Sequence, residues 1–333
     1  GHPYAQTPAL DKLATEGTQF QRFYVTGVTC CPSRTGFMTS RHPASYPKYM
    51  ADYGFAGCLT VTELLRRAGY CTGHFGKWHM GPQNADGTYG LEEIDVIGST
   101  KTDPGGRDAG LFEAAMGFIE ANRAGPFYVN VWGHITHFPV DPVSSLAQRF
   151  KHVTVKRSDF GAPMQGQFDT CERIGGDLNK AMRNYLGDVY SLDVQVGRLL
   201  AKIDELGLRD NTIVVFSSDQ GPAPVLTKGK ATDPALEHNP SRNMLGYAGG
   251  LRGGKHTQWE GGVRSPFIIR WPGKVPAGKI NRSSIFSGMD WLPTVCAVAG
   301  VSLPERPDKD LFEGRDNGPV REKRHTKVIE SYL

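Results

Sequence analysis

Residues 30–34 read Cys30-Cys31-Pro32-Ser33-Arg34, and the run continues through Met38, Thr39 and Arg41. Pro32 suits the first turn of a helix, where its missing N–H would be unpaired in any case. Cys30 then stands at a helix N-terminus, where free backbone N–H groups and the helix dipole favour an anion. Arg34 lies one turn further on and returns to the same spot. An oxygen nucleophile made from Cys30 would face an anionic substrate in that setting. Taken alone, two adjacent cysteines also fit half of a disulfide pair or a buried apolar pair.

Four further groups of residues have types and spacings suited to chemistry. Lys77 and His79 are two apart at the end of Gly73-His74-Phe75-Gly76, so in an extended segment they point the same way. An ammonium beside an imidazole suits an anionic oxygen plus a proton transfer; two surface residues at a strand end would look the same. His134 and His137 follow the apolar run Phe127–Trp132, where a histidine is often a cap or a core residue. Asp219 and Gln220 follow Thr212–Ser217 and offer two hard oxygen ligands for Ca²⁺ or Mg²⁺, though Asp-Gln-Gly also favours a plain turn. Lys255 lies in the glycine-rich run Arg252-Gly253-Gly254-Lys255, which permits close approach of backbone or simply a flexible loop.

The elements around these residues alternate. Helices are expected over 8–17, 60–68, 111–122, 178–206 and 290–298, and strands over 19–25, 70–76, 127–132, 212–217 and 266–271. The helix over 178–206 rests on apolar residues from Met182 to Leu206 that recur at three and four. Residues 86–107 and 223–250 read as irregular excursions, and 141–176 as a long loop of weak periodicity. Strands alternating with helices argue for an α/β fold with a mostly parallel sheet covered on both faces. In such sheets ligands bind beyond the carboxyl ends of the strands, where His134, His137, Asp219 and Gln220 all fall.

A chain of 333 residues is long enough for one large α/β domain or two smaller ones. A formal net charge of +4 is too mild to imply nucleic acid, and part of it lies in the basic run Arg321–Lys327. No apolar run is long enough for a membrane span. The six cysteines form no dense disulfide framework; Cys58 and Cys71 are near enough in sequence to pair, but spacing alone does not establish pairing.

Residues 30–41 resemble the signature of the type I sulfatases: Cys, any residue, Pro, Ser, Arg, three residues, Leu or Met, Thr, a small residue, then Arg or Lys. Ser40 stands where Gly is common. The segment Gly69–His79 resembles the second sulfatase signature, and Thr136-His137-Phe138-Pro139, Ser218-Asp219-Gln220-Gly221, Arg252–Lys255 and Glu260–Pro266 resemble further family runs in the same order. Relatives of this kind include bacterial N-acetylgalactosamine-6-sulfatase and the arylsulfatases. The resemblance implies an alkaline-phosphatase-like three-layer α/β/α fold. It implies that Cys30 is oxidised to formylglycine by a formylglycine-generating or other sulfatase-maturing enzyme. It assigns Arg34, Lys77 and Lys255 to the sulfate, His79 to the formylglycine hydroxyls, and His137, with help from Lys255, to the leaving oxygen. It gives the metal, Ca²⁺ ahead of Mg²⁺, to Asp219, Gln220 and the modified Cys30. Gln220 replaces the common Asn with an oxygen one methylene further out. His134 has no firm counterpart and is kept as a substrate-side candidate, while Glu260, Arg264 and Asp290 look structural.

Two departures belong to this reading. The family opens with an apolar strand ending in an Asp-Asp pair, ahead of a helix matched here by Thr7–Ala14. That strand is not seen before Gly1, and the family's C-terminal subdomain looks cut short after Ile329, so the chain reads as a fragment or a processed chain. It is therefore expected to comprise a catalytic domain over 1–300 and the start of a C-terminal subdomain over 301–333, and to hold metal poorly as it stands. The expected activity is hydrolysis of sulfate esters, with a sulfated carbohydrate or small molecule as substrate and a periplasmic, secreted or, in a eukaryote, lysosomal setting. A phosphomonoesterase or phosphodiesterase of the same superfamily and a non-catalytic degenerate homologue are the competing readings. Cys30 and the basic residues oppose the first; the missing Asp pair supports the second, and the intact basic set opposes it.

Overall fold

The structure is a computed structural model that describes residues 2–98, 105–227 and 239–303. The basic run and most of the expected C-terminal subdomain lie outside the described residues, as do parts of the two expected excursions. Eight strands are described: β1 (Thr18–Tyr24), β2 (Cys71–Gly76), β3 (Glu93–Asp95), β4 (Phe127–Trp132), β5 (Val214–Ser217), β6 (Arg264–Arg270), β7 (Lys279–Asn281) and β8 (Phe286–Ser287). The helices are α1 (Pro8–Glu16), α2 (Cys30–Thr39), α3 (Met50–Tyr53), α4 (Val61–Arg67), α5 (Ala109–Ala121), α6 (Ser144–Arg149), α7 (Ala162–Arg173), α8 (Leu178–Glu205), α9 (Glu260–Val263) and α10 (Trp291–Val298).

Among the described residues the strands form two sheets. One runs β5-β6-β1-β7, with β8 also on β1, and the other runs β3-β2-β4. Pairings of β1 with β7 and β8, and of β2 with β3 and β4, are parallel; β6 runs antiparallel to both β1 and β5. Strand alternation sorts the layers. Phe127, Val129 and Val131 face Phe75, Ala115 and Phe118 on the α5 side. Tyr128 and Trp132 face the opposite cluster, which gathers Cys31 and Met38 of α2, Leu64 and Leu65 of α4, and Leu292 and Cys296 of α10. On the first face, Leu13 of α1, Leu111 and Phe112 of α5, and Val196 and Leu200 of α8 form one cluster. Val131 of β4 and Val214 and Phe216 of β5 pack against that cluster. Helices thus cover both faces, as expected for the α/β/α arrangement.

The described part of 141–176 differs from the expected loop, since α6 and α7 lie within it. Their apolar residues are few, and those of α7 (Met164, Phe168 and Cys171) are all buried, spaced at i, i+4 and i+7 against α8 and Leu245. The whole amphipathic signal of that helix rests on three positions, which is why it is faint in the sequence. All six cysteines are free, so Cys58 and Cys71 are not paired. Asp290 accepts hydrogen bonds from the backbone N–H and hydroxyl of Ser287, which caps the 3-10 turn Gly288–Asp290 ahead of α10, and its side chain does not cap α10 itself.

Helix α8 carries polar residues on its buried side. Asp193 accepts from the backbone N–H groups of Ala9 and Leu10 at 3.0 and 2.8 Å and so caps the start of α1. Asp188 and Gln195 reach the chain just before α5.

His74, in the middle of β2, is fully buried between the edges of Trp78 and Trp132, and no well-formed hydrogen bond reaches either ring nitrogen, though backbone at Gly76 and Lys77 lies close enough to favour its charged form slightly. Burial, helped by the charge of Arg34, lowers its pKa to about 3 from an ordinary 6.5. Because the unfolded chain binds this proton more readily than the folded one, the stability it supports is whole above about pH 6.5 and drains away as pH falls towards 3. His74→Phe keeps an aromatic ring and loses the titration. Its melting temperature should fall less between pH 7 and pH 5 than that of the parent, as read by thermal denaturation across pH; parallel slopes would contradict the account.

Candidate active site

Helix α2 begins at Cys30, with Thr29 in extended conformation as its cap residue and Pro32 in the first turn. The Cys30 thiol is buried, and two ammonium groups meet it: Lys77 Nζ at 3.4 Å and Lys255 Nζ at 3.9 Å. Arg34 is also buried. Its guanidinium lies over the Trp132 ring, 4.4 Å from the centroid. Its Nη1 donates to the Lys77 carbonyl at 2.9 Å and its Nη2 to Asp219 Oδ2 at 3.4 Å. Two ammonium groups thus meet one sulfur, and Arg34, bonded to the Lys77 carbonyl and to Asp219, stands behind them, a setting that suits an anionic ligand.

Backbone contacts set these side chains. Lys77 follows β2 directly, and its N–H donates to the Trp132 carbonyl at the end of β4 at 2.8 Å. Gly76 before it has φ +104°, and a Cβ there would stand 2.4 Å from the Trp132 oxygen, so only glycine lets the strand end turn Lys77 towards Cys30. His79 adopts φ 50°. On the other side, Gly221 donates to the Gly262 carbonyl at 2.9 Å, and the N–H of Lys255 donates to the Pro222 carbonyl at 2.8 Å. The His256 N–H then donates to the carbonyl of Val28, the residue before Thr29, at 2.9 Å. The loop after β5, the Lys255 loop and the approach to α2 are therefore one hydrogen-bonded unit. Glu260 and Arg264 pair with each other at 3.1 Å, outside that unit.

The two imidazoles share an electrostatic environment. Burial, together with Lys77 and Arg34, holds the His79 pKa below its ordinary value. Burial takes His137 down to about 4, with Lys77 and Lys255 pushing the same way and the Phe138 carbonyl opposing. His137 Nδ1 lies 3.0 Å from that carbonyl, which leaves Nε2 for other contacts. His134 does not join this group: its Nε2 sits 2.9 Å from the Ile97 carbonyl, and the ring is tied to backbone there.

Among the described residues there is no cluster of three or more His, Cys, Asp or Glu that could hold a metal. The donors present still fit a hard cation. Gln220 Oε1 is buried and has no hydrogen-bond partner, and the neighbouring Asp219 supplies a carboxylate oxygen. An orphaned amide oxygen beside a carboxylate is an all-oxygen donor set of the kind Ca²⁺ and Mg²⁺ take.

Sequence reasoning passed over Trp132, the platform for Arg34, and the pair Arg107–Asp188, which reaches the loop bearing His137. Asp188 did carry a signal, because it falls three residues after Tyr185 and four before Leu192, in phase with the apolar stripe of α8. A carboxylate inside such a stripe needs a partner.

Fold and site together define an alkaline-phosphatase-like α/β protein with a cationic centre built around a cysteine at a helix start. The chain belongs to the sulfatase family, whose family model matches residues 1–301. It is 29% identical to human arylsulfatase A over 358 residues, covering 91% of this chain and 61% of the human protein. It is also 29% identical to the N-acetylgalactosamine-6-O-sulfatase of Bacteroides thetaiotaomicron, over 94% of this chain and 71% of that protein. Among solved structures, Ps i-CgsB in complex with k-i-k-neocarrahexaose shares the fold, with a TM-score of 0.68 at 24% identity over 90% of this chain and 67% of the other. The chain thus spans about three fifths of the length of the human relative.

The contact between the two glycine loops generates a prediction. A Cβ at residue 221 would stand 1.7 Å from the Gly261 carbonyl oxygen. Gly221→Ala must push the Lys255 loop away, at a cost of about 1–3 kcal/mol or more. Urea unfolding should show that loss, and Gly207→Ala, where a Cβ meets nothing within 4 Å and the positive φ is the one source of strain, should lose less.

Proposed function

We propose that this chain hydrolyses sulfate esters of carbohydrates, with Cys30 as the residue converted to formylglycine. The observation that carries the reading is the seat of Cys30: head of α2, with Lys77 and Lys255 Nζ at 3.4 and 3.9 Å and Arg34 behind them. A sulfate ester brings one negative charge spread over three oxygens, and Arg34, Lys77 and Lys255 are placed to share it. Hydrated formylglycine supplies an oxygen nucleophile for sulfur and a second hydroxyl whose deprotonation releases sulfate. Asp219 and Gln220 would hold a divalent cation, Ca²⁺ ahead of Mg²⁺, together with the modified Cys30; the ion supplies a positive charge that lowers a hydroxyl pKa and binds a sulfate oxygen.

The imidazoles divide the proton work. His79, kept neutral by burial and by Lys77, is ready to accept the proton of the second hydroxyl. His137 gives a proton to the alcohol oxygen as the sulfur–oxygen bond breaks. Burial, with Lys77 and Lys255, holds its pKa down in the free protein, and the charge of a bound sulfate ester offsets the part that the two lysines contribute. A carbohydrate alcohol is a poor leaving group and needs that proton. Support for a sugar comes from the acetylgalactosamine sulfatase among the relatives and from the carrageenan-type oligosaccharide named with the structural neighbour. A sulfatase-maturing enzyme is the partner this reading requires. A periplasmic or secreted setting accompanies it, and among the described residues no helix is long and apolar enough to cross a membrane.

Peptide mass spectrometry of active protein from its native host tests the central assignment. Formylglycine is expected at Cys30 and an unmodified thiol at Cys31; active protein with an intact Cys30 thiol would refute the reading. Kinetics on two substrates test the division of labour. His137→Ala should cut kcat/KM for a sugar sulfate at least about tenfold more than for a nitrophenyl sulfate, whose alcohol leaves without help. Arg34→Ala should cut both about equally, because both substrates carry the same sulfate. Equal losses for His137→Ala would move the acid role to Lys255.

A further inference from the structure

We propose that Arg107, Asp108 and Asp188 form a buried positioning network whose task is to hold His137 in place for proton transfer to the leaving alcohol. The inference rests on the sulfatase reading above and adds three residues to it that do not touch the substrate.

His137 sits on the loop Gly133–Pro139, which has no helix or strand of its own. Two neighbouring residues at the start of α5 hold that loop from opposite ends. Asp108 is fully buried, and its Oδ2 accepts from the backbone N–H groups of His134 and Ile135 at 2.8 and 2.9 Å. Arg107 Nη2 donates to the carbonyl of His137 itself at 3.1 Å. The loop then closes on itself, with the His137 N–H donating to the His134 carbonyl at 2.7 Å.

Arg107 is aimed by Asp188. The guanidinium grips this carboxylate with two bonds, Nη2 to Oδ2 at 2.5 Å and Nε to Oδ1 at 3.3 Å, and Asp188 is itself fully buried in α8. A two-pronged pair fixes the plane of the guanidinium as well as its position. The same helix holds the preceding backbone, since Gln195 Nε2 donates to the Gly105 carbonyl at 2.7 Å. Next to it, a Cβ on Gly106 would strike Ser191, at 2.5 Å from its Cβ. The turn carrying Arg107 and Asp108 is therefore seated on the longest helix of the fold.

A buried ion pair is a poor source of stability, because desolvation consumes most of its attraction. What this one provides is direction. Arg107 and its neighbour Asp108 both bond to the loop that bears His137, and the other histidine of that loop has its ring nitrogen turned to the Ile97 carbonyl. Proton transfer is sensitive to placement; a shift of about 1 Å can cost about 100-fold in rate.

The experiment is a double-mutant cycle in the formylglycine-containing holoenzyme, using Asp188→Asn and His137→Ala singly and together. Arg107→Lys serves as a second probe that keeps the charge and loses the fork. Melting temperatures are taken throughout, and kcat/KM is measured on a sugar sulfate and on a nitrophenyl sulfate. Asp188→Asn and Arg107→Lys should each lose about 10- to 100-fold on the sugar sulfate and under about threefold on the nitrophenyl sulfate. In the His137→Ala background, Asp188→Asn should bring little further loss on the sugar sulfate. Should Asp188→Asn fail to fold, Arg107→Lys takes its place in the cycle. Equal losses on both substrates, or losses that add to that of His137→Ala, overturn the inference while an active parent keeps the functional reading. A parent with no activity on either sulfate overturns both.

Discussion

Positive charge packed around one buried sulfur is the constraint that the rest of this structure serves. Lys77 and Lys255 both reach Cys30, so their ammonium groups are no more than about 7 Å apart, with Arg34 close behind. At an effective dielectric of about 20, two such charges repel by about 2 kcal/mol. Asp219 offsets part of this through Arg34. The remainder is a standing preference for an anion, and it exists only because backbone contacts keep the cations from swinging away into water. A flexible site would relax the repulsion and lose the selectivity with it.

Those contacts are short-range and mostly main chain. Arg34 holds the Lys77 carbonyl, the Lys77 amide holds Trp132, and the Trp132 ring lies under Arg34, a closed circuit between α2, β2 and β4. A second circuit joins Gly221 to Gly262, Lys255 to Pro222 and His256 to Val28. Cys30 lies where the two meet. Side-chain chemistry at the centre is thus carried on parts of the chain that cannot move independently.

Much of this was legible in the sequence, for reasons that differ by element. The start of α2 is written in Pro32 and the residues around it, and the observed helix begins at Cys30. β4 is legible at 127–132 because it is a continuous apolar run, and the helix expected over 178–206 is α8, Leu178–Glu205, because its apolar residues repeat along its whole length. The sheet's division in two and the antiparallel course of β6 were not legible, since an apolar run carries no direction. Neither was the Arg107–Asp188 pair, whose members are 81 residues apart; local patterning cannot report such a partner. His134 misled in the other direction. Its position after a strand is that of a site residue, and its ring is spent on the Ile97 carbonyl.

The meeting of Gly221 with Gly261 and Gly262 is backbone against backbone, with no side chain between. Most loop contacts in proteins can drift, because one side chain shrinks while its neighbour grows. Here there is nothing left to shrink. The segment after β5 and the segment around α9 must therefore change together or stay as they are, and a chimera that imports one from a relative has to import the other with it. Variation in sequence is channelled to loops outside this joint.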